Sequence, residues 1–287
     1  MTLEEICQKA QQIPASPSIL PALLSLLGQE NSTLQDLESV VKQDTSLSVA
    51  VLRMANSVAM GGAVRFESLD DAILRLGFIS THKLVVTVAG GRWNSINLSG
   101  YSWEPGDFFR HSLAVAVASR QLALTLGSCD PELAYTAGLM HEAGKLALAF
   151  SYPEAIELAR EKRNELDFDW LQAEREVLGF NHTDISRELL QGWNFPQSLL
   201  EAVSFYPDPS MASEEFRALV ETIHLGKHIA IQTGIGAGED AFWLKADDAV
   251  LSHLGALELD LEDLIASVVA DVSLLLQNAL LNGPIKI

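Results

Sequence analysis

Gly138-Leu139-Met140-His141-Glu142-Ala143-Gly144-Lys145-Leu146 sets a histidine and a carboxylate side by side near a helix end. A hydrolase that splits phosphate bonds with one or two metal ions needs several His and carboxylate ligands converging from different helices, with an open position for water. Two further segments offer such ligands, His111 in Phe108-Phe109-Arg110-His111-Ser112 and His182 in Gly179-Phe180-Asn181-His182-Thr183-Asp184. Three histidines and Glu142 are enough for one divalent ion, with Asp184 or Glu201 to complete the shell; two ions need more carboxylate. Taken singly, each is more often a satisfied polar residue than a ligand. Their recurrence in the order His, His-carboxylate, His gives them weight. The pair His224 and His228 has the helical spacing for two ligands but lacks the neighbouring glutamate of a zinc protease helix, and reads as structural.

Around these residues the pattern is helical almost throughout, and the expected class is all-α. Thr2 with Glu5 and Ser32 with Gln35 match capping boxes, and Asp130-Pro131 places a capping acid before a proline at the first helical position. Apolar residues recur at helical spacing, as in Leu47, Val51 and Met54, or Leu113, Val117 and Leu124. Gly77, Gly127, Gly179 and Gly192 fall where those helices should stop.

Turn formers in Asn94 to Gly100 and Glu104-Pro105-Gly106 place a boundary near residues 94–106. The predicted division is 1–100, a bundle of five or six short helices, and 101–287, a helical core opening with a long helix from about Asp107 to Gly127 and ending in a helical extension. Gly234-Ile235-Gly236-Ala237-Gly238 reads as a flexible loop that lacks the Lys-Ser/Thr of a P-loop. Trp93 and Trp103 flank the boundary and are expected to pack the two parts together; Trp170, Trp193 and Trp243 read as core anchors.

The chain has 287 residues, 48% of them hydrophobic, enough for a substantial core. A formal charge of -19 argues against a nucleic-acid partner, which needs a basic stripe. Arg53, Arg65, Arg75, Lys83 and Arg92 make the N-terminal part the least acidic, so an anionic ligand is best sought there. Cys7 and Cys129 match neither a metal knuckle nor a disulfide framework and imply a reducing compartment. The start of the chain carries acid where a signal peptide carries base, and Ile265 to Leu281 contains Asp271, Gln277 and Asn278, so it reads as amphipathic rather than membrane-spanning. The expected location is the cytoplasm, with no membrane contact.

Four segments together resemble the HDOD proteins, a bacterial signalling family related to the HD and HD-GYP metal-dependent phosphohydrolases. They are Gln43 to Leu47 leading to Leu52-Arg53-Met54-Ala55-Asn56-Ser57, Ala72 to Gly77, His141 to Lys145, and Glu174 to His182. The resemblance runs from about residue 13 to about residue 230. It implies that His111, His141 and His182 stand at ligand positions and that Glu142 replaces the aspartate of the HD pair. It also implies that Ser204-Phe205-Tyr206-Pro207 replaces a histidine pair and that Lys227 stands where active relatives have a last aspartate.

An ammonium there opposes a metal ion: at roughly 4 Å and an effective dielectric near 20, two like unit charges repel by about 4 kcal/mol, and a dication doubles that. Lys227 is therefore expected to point at Glu142 and neutralise it, with Lys145, one helical turn after Glu142, as the competing partner. In the N-terminal motif, Asp44 reads as a helix cap, Leu47, Val51 and Leu52 as core, and Asn56-Ser57 with Gly61-Gly62 as a helix stop. Arg53, Asn56, Arg75 and Lys145 are the candidates for contacting a ligand or partner.

The expected function is a non-catalytic scaffold of bacterial signal transduction with a degenerate metal site, no cofactor, unidentified signalling proteins as partners and a possible homo-oligomer. The alternatives are a single-metal phosphohydrolase using His111, His141, Glu142 and His182, and a nucleotide or small-anion sensor without catalysis.

Overall fold

The computed structural model describes residues 2–10, 26, 32–56, 66–91, 96–236, 238 and 248–280. Among them the regular elements are helices and no strand occurs. In chain order they are α1 (Leu3–Ala10), α2 (Leu34–Val41), α3 (Thr45–Ala55), α4 (Leu69–Leu76), α5 (Phe78–Gly91), α6 (Asp107–Leu126), α7 (Pro131–Met140), α8 (Ala143–Ser151), α9 (Pro153–Leu166), α10 (Trp170–Leu178), α11 (His182–Gly192), α12 (Gln197–Phe205), α13 (Arg217–Gln232), α14 (Asp248–His253) and α15 (Leu261–Leu280).

The chain divides into two compact units, Met1–Pro14 with Trp93–Val272, and Ala15–Arg92 with Ser273–Ile287. The turn-rich stretch near 94–106 lies where the chain re-enters the larger unit. The first helix belongs to that unit as well, a placement that the sequence division at residue 100 does not contain.

In the smaller unit, α2 to α5 bury Leu37, Val41, Leu47, Val51, Ile73 and Val85; Leu52, expected in the core, is half-buried. The capping box of α2 sits one residue later than Ser32 and Gln35: Thr33 Oγ1 accepts from the Asp36 amide at 3.2 Å and Asp36 Oδ2 from the Thr33 amide at 2.8 Å. Both registers satisfy the S/T-x-x-acid/amide spacing, so spacing alone does not choose between them. Asp44 Oδ1 accepts from the Leu47 amide at the head of α3. Ser68 caps α4, and Gly77, at φ 77°, ends it.

The larger unit is built on α6. Nearly every side of this helix is buried, so its apolar residues do not confine themselves to one stripe. Two glycines let neighbours come close: a Cβ on Gly138 of α7 would lie 2.8 Å from Ala116 Cα, and one on Gly226 of α13 would lie 3.0 Å from the Ser119 amide nitrogen. Helix α1 buries Ile6, Cys7 and Ala10 and packs on α8 and α11. Ser151 Oγ, at the end of α8, donates to the Ile6 carbonyl at 3.1 Å. No described helix is long and apolar enough to cross a membrane; α15 turns Leu264, Val268 and Val272 inward and Asp271 outward.

Candidate functional site

Helix α6 delivers His111 to the centre of the larger unit, 2% exposed. Helix α7 ends at Met140 and α8 begins at Ala143, so His141 and Glu142 form the break between them, both fully buried. The head of α8 is pressed onto α11, because a Cβ on Gly144 would overlap the His182 carbonyl oxygen and lie 2.9 Å from the Ser186 nitrogen. The Gly144 N–H donates to Ser186 Oγ at 2.8 Å. Helix α13 packs on α6 and presents Lys227.

The two ammonium groups set in competition by the sequence share one oxygen. Lys227 Nζ lies 2.7 Å and Lys145 Nζ 2.8 Å from Glu142 Oε1. The other oxygen, Oε2, faces His111 Nε2 at 3.8 Å and His141 Nε2 at 3.7 Å. His141 Nδ1 donates to the Gly138 carbonyl at 2.7 Å, which leaves its Nε2 as a lone pair in the neutral ring. That nitrogen and Glu142 Oε2 have no hydrogen-bond partner among the described residues.

Burial opposes the Glu142 charge, but Lys145 and then Lys227 outweigh it and hold the carboxyl well below its ordinary range. Burial also holds the His141 imidazole well below 6.5, with Lys227 and His111 acting the same way and Glu142 against. The cluster is thus an anionic carboxylate between two cations, with a neutral imidazole on its far side.

Three of the four expected ligand positions come together: His111, His141 and Glu142 each offer an atom within 4.8 Å of the others. His182 does not join them. Its Nδ1 and its backbone N–H both donate to Glu174 Oε2 at 2.7 Å, and the Tyr206 hydroxyl lies 3.1 Å from its Nε2. Tyr101 donates to the second Glu174 oxygen at 2.7 Å. Tyr206 also turns its ring edge-on to His141, centroids 5.0 Å apart, and Lys227 Nζ sits 5.0 Å from the same ring. Asp184 and Glu201 are engaged elsewhere, Asp184 at the cap of α11 and with Arg175, Glu201 with the Ser213 amide.

Trp103 covers the cluster, its ring 4.9 Å from Lys145 Nζ and 5.9 Å from His111. The described part of the segment read as a flexible loop is packed down here. A Cβ on Gly236, at φ 59°, would overlap the Asp107 carbonyl and lie 2.7 Å from the His111 nitrogen, and one on Gly238 would overlap Trp103 Nε1. Only glycine permits that approach.

Among the other candidates, Lys145 is in the cluster, while Arg53, Asn56 and Arg75 belong to the smaller unit. Arg53 and Arg75 are exposed. The Asn56 side chain is committed to the backbone, donating to the Leu52 and Phe66 carbonyls at 2.9 Å and accepting from the Phe66 amide at 2.8 Å. Ser57, Gly61, Gly62, Arg65, Arg92, Trp93 and Trp243 lie outside the described residues. The sequence reading missed Glu174 and Tyr101 as site residues. The available signal was a glutamate in the buried stripe Trp170, Ala173, Glu174 of α10, where an acid needs a partner.

An all-α bundle enclosing a buried histidine, glutamate and lysine cluster at a helix break defines an HD-like helical protein. The chain belongs to the HDOD family: the family's profile, described as the HDOD domain, matches residues 13–209. Among solved structures it is similar to an HDOD domain protein of unknown function from Geobacter sulfurreducens, at 18% identity and a TM-score of 0.71 over 98% of this chain and 99% of that one. It is also similar to a candidate phosphohydrolase from Shewanella amazonensis SB2B, at 24% identity and a TM-score of 0.70 over 97% and 98%. A candidate signal-transduction protein from Marinobacter aquaeolei VT8 gives 24% and 0.72 over 98% of this chain and 61% of that one. At these identities the likeness concerns the fold. An uncharacterized Treponema pallidum (strain Nichols) protein is 24% identical over 230 residues, 76% of this chain and 42% of its own length, so this chain spans less than half of that curated relative.

Proposed function

We propose that the chain is a non-catalytic regulatory scaffold of bacterial signal transduction, working through binding of a signalling protein or ligand rather than through turnover. The observation that carries this reading is the pair of ammonium groups on Glu142 Oε1. A divalent ion held by His111, His141 and Glu142 would lie beside both. At roughly 5 Å and an effective dielectric near 20, each would oppose it by about 7 kcal/mol. His182, the fourth expected ligand, is held by Glu174 and Tyr206. These residues do not fit a catalytic divalent ion, and the two lysines do for the buried carboxylate what an ion would otherwise do.

A second reading, a single-metal phosphohydrolase, has one observation in its favour: the His141 Nε2 lone pair faces Glu142 Oε2 with no hydrogen-bond partner among the described residues for either atom. Anomalous scattering from crystals of protein purified without chelator separates the two. The scaffold reading expects no iron, manganese, nickel or zinc at His111, His141 and Glu142, and expects Lys227→Asp to gain one there. A full ion at those residues in the natural sequence, with phosphodiester turnover that His141→Ala abolishes, would establish the hydrolase instead.

A further inference from the structure

Helix α13 carries a second pair of imidazoles, His224 and His228, four residues apart and therefore neighbours on one helical face. His224 is 5% exposed, and its Nδ1 lies 2.9 Å from the Tyr206 carbonyl oxygen. A carbonyl only accepts, so in the neutral ring Nδ1 carries the hydrogen and Nε2 the lone pair. That Nε2 is buried with no hydrogen-bond partner among the described residues.

His228 is half-buried, with Nε2 2.7 Å from the atom placed as Gln232 Nε2, and with Nδ1 buried and likewise unpartnered among the described residues. The amide has two orientations. With its nitrogen toward the ring, Nδ1 would hold a buried N–H lacking an acceptor. With its oxygen there, Nε2–H donates and Nδ1 keeps its lone pair. Orphaned buried N–H groups are the rarer and costlier case, so the second orientation is the stable one.

We propose that His224 Nε2 and His228 Nδ1 together bind one divalent transition-metal ion of the zinc, nickel or copper class, with water in the remaining positions. Imidazole is the ligand these ions favour, and a pair four residues apart on a helix is a known chelating unit. Each ring has its other nitrogen fixed, one by a backbone carbonyl and one by a side-chain amide, which is how ligating histidines are oriented in metal sites. Burial, with His224 beside it, holds the His228 imidazole below 6.5, so the ring is neutral near pH 7 and uptake displaces no proton. Lys227 lies on the same helix, but its ammonium is directed at Glu142. The formal charge of -19 favours a cation at long range. These nitrogens are separate from the His111, His141 and Glu142 group, and the proposal does not depend on the scaffold reading.

Calorimetric titration of the whole chain with zinc chloride, thermal melting with and without zinc, and an anomalous map at the zinc edge test the site. One zinc per chain and a raised melting temperature are expected, with density between His224 and His228. His228→Gln, at a half-buried helical position and checked by circular dichroism, should weaken binding at least about 10-fold, and Gln232→Ala about 10- to 100-fold through loss of ring orientation. His228→Gln decides the matter even if His224→Gln fails to fold. Absence of heat and of any melting shift up to about 1 mM zinc would overturn the proposal and leave the scaffold reading untouched. Uptake unaffected by His228→Gln, with density at His111, His141 and Glu142, would overturn both.

Discussion

Lys227 Nζ lies 2.7 Å from Glu142 Oε1, tying α13 to the head of α8 across 85 positions of sequence. The pair is buried at both ends, the lysine side chain 6% exposed and the glutamate 0%. A buried carboxylate that shares one oxygen between two ammonium groups is a structural commitment. Loss of the carboxylate takes a buried anion away from both ammonium groups at once.

Glu142→Gln therefore leaves two buried ammonium groups facing a neutral amide. It should destabilise the protein by about 3–5 kcal/mol. Lys227→Met, which leaves Lys145 on Glu142, should cost clearly less. Urea unfolding of both variants checks this, and equal losses would mean that Lys145 does not share the charge.

The acid limb of the stability curve draws most on Glu142 and His141, with the half-buried His228 adding to the imidazole part. Glu142, held well below its ordinary 4.5, contributes stability that is complete above 4.5 and is lost as pH falls through its lower folded value. His141, held well below 6.5, takes up its proton more readily when unfolded, so its share is complete above 6.5 and starts to fall away as pH drops below that value. Unfolding free energy should decline from about pH 6.5 downward. In His141→Phe the upper part of that decline, between 6.5 and 4.5, should flatten; an unchanged slope there would show that the ring is not buried in its neutral form.

Asn56→Ala removes three side-chain hydrogen bonds, one back to the Leu52 carbonyl and two that fix the Phe66 backbone to the end of α3. About 1–3 kcal/mol of stability should go with them, read from urea unfolding.

Gly144→Ala and Gly192→Ala make a matched pair. At Gly144 the new methyl group would overlap the His182 carbonyl, so α8 and α11 must separate, and a loss of about 3 kcal/mol or more is expected. Nothing lies within 4 Å of a Cβ on Gly192, the last residue of α11, so alanine there should be neutral or mildly stabilising. Thermal melts of the two variants report the contrast directly.

The helical class was legible because its signals are local. Asp130-Pro131 opens α7 and Gly127 closes α6, each within one turn of the residues that show it. The Lys227 contact was legible for a different reason: the family resemblance set a lysine where relatives have an aspartate, and a buried acid beside it needs a partner. The capture of His182 by Tyr206 was not legible, because it spans 24 positions and depends on α11 and α12 packing in one register. Nor was the packing of Gly236 onto the backbone of His111. A glycine-rich segment has the same composition whether it moves freely or fits where no side chain can.

Helix α1 stands ahead of the smaller unit in the chain yet is assembled with the larger one, against α8 and α11. The smaller unit accordingly takes its residues from 15–92 and 273–287, on either side of the larger unit's main segment in the chain. A fragment starting at residue 101 would lack Ile6 and Ala10, strip apolar cover from the two helices that frame Glu142 and His182, and expose a sticky seam. A version of the larger unit that retains α1 with residues 93–272 offers the sounder route to an isolated core.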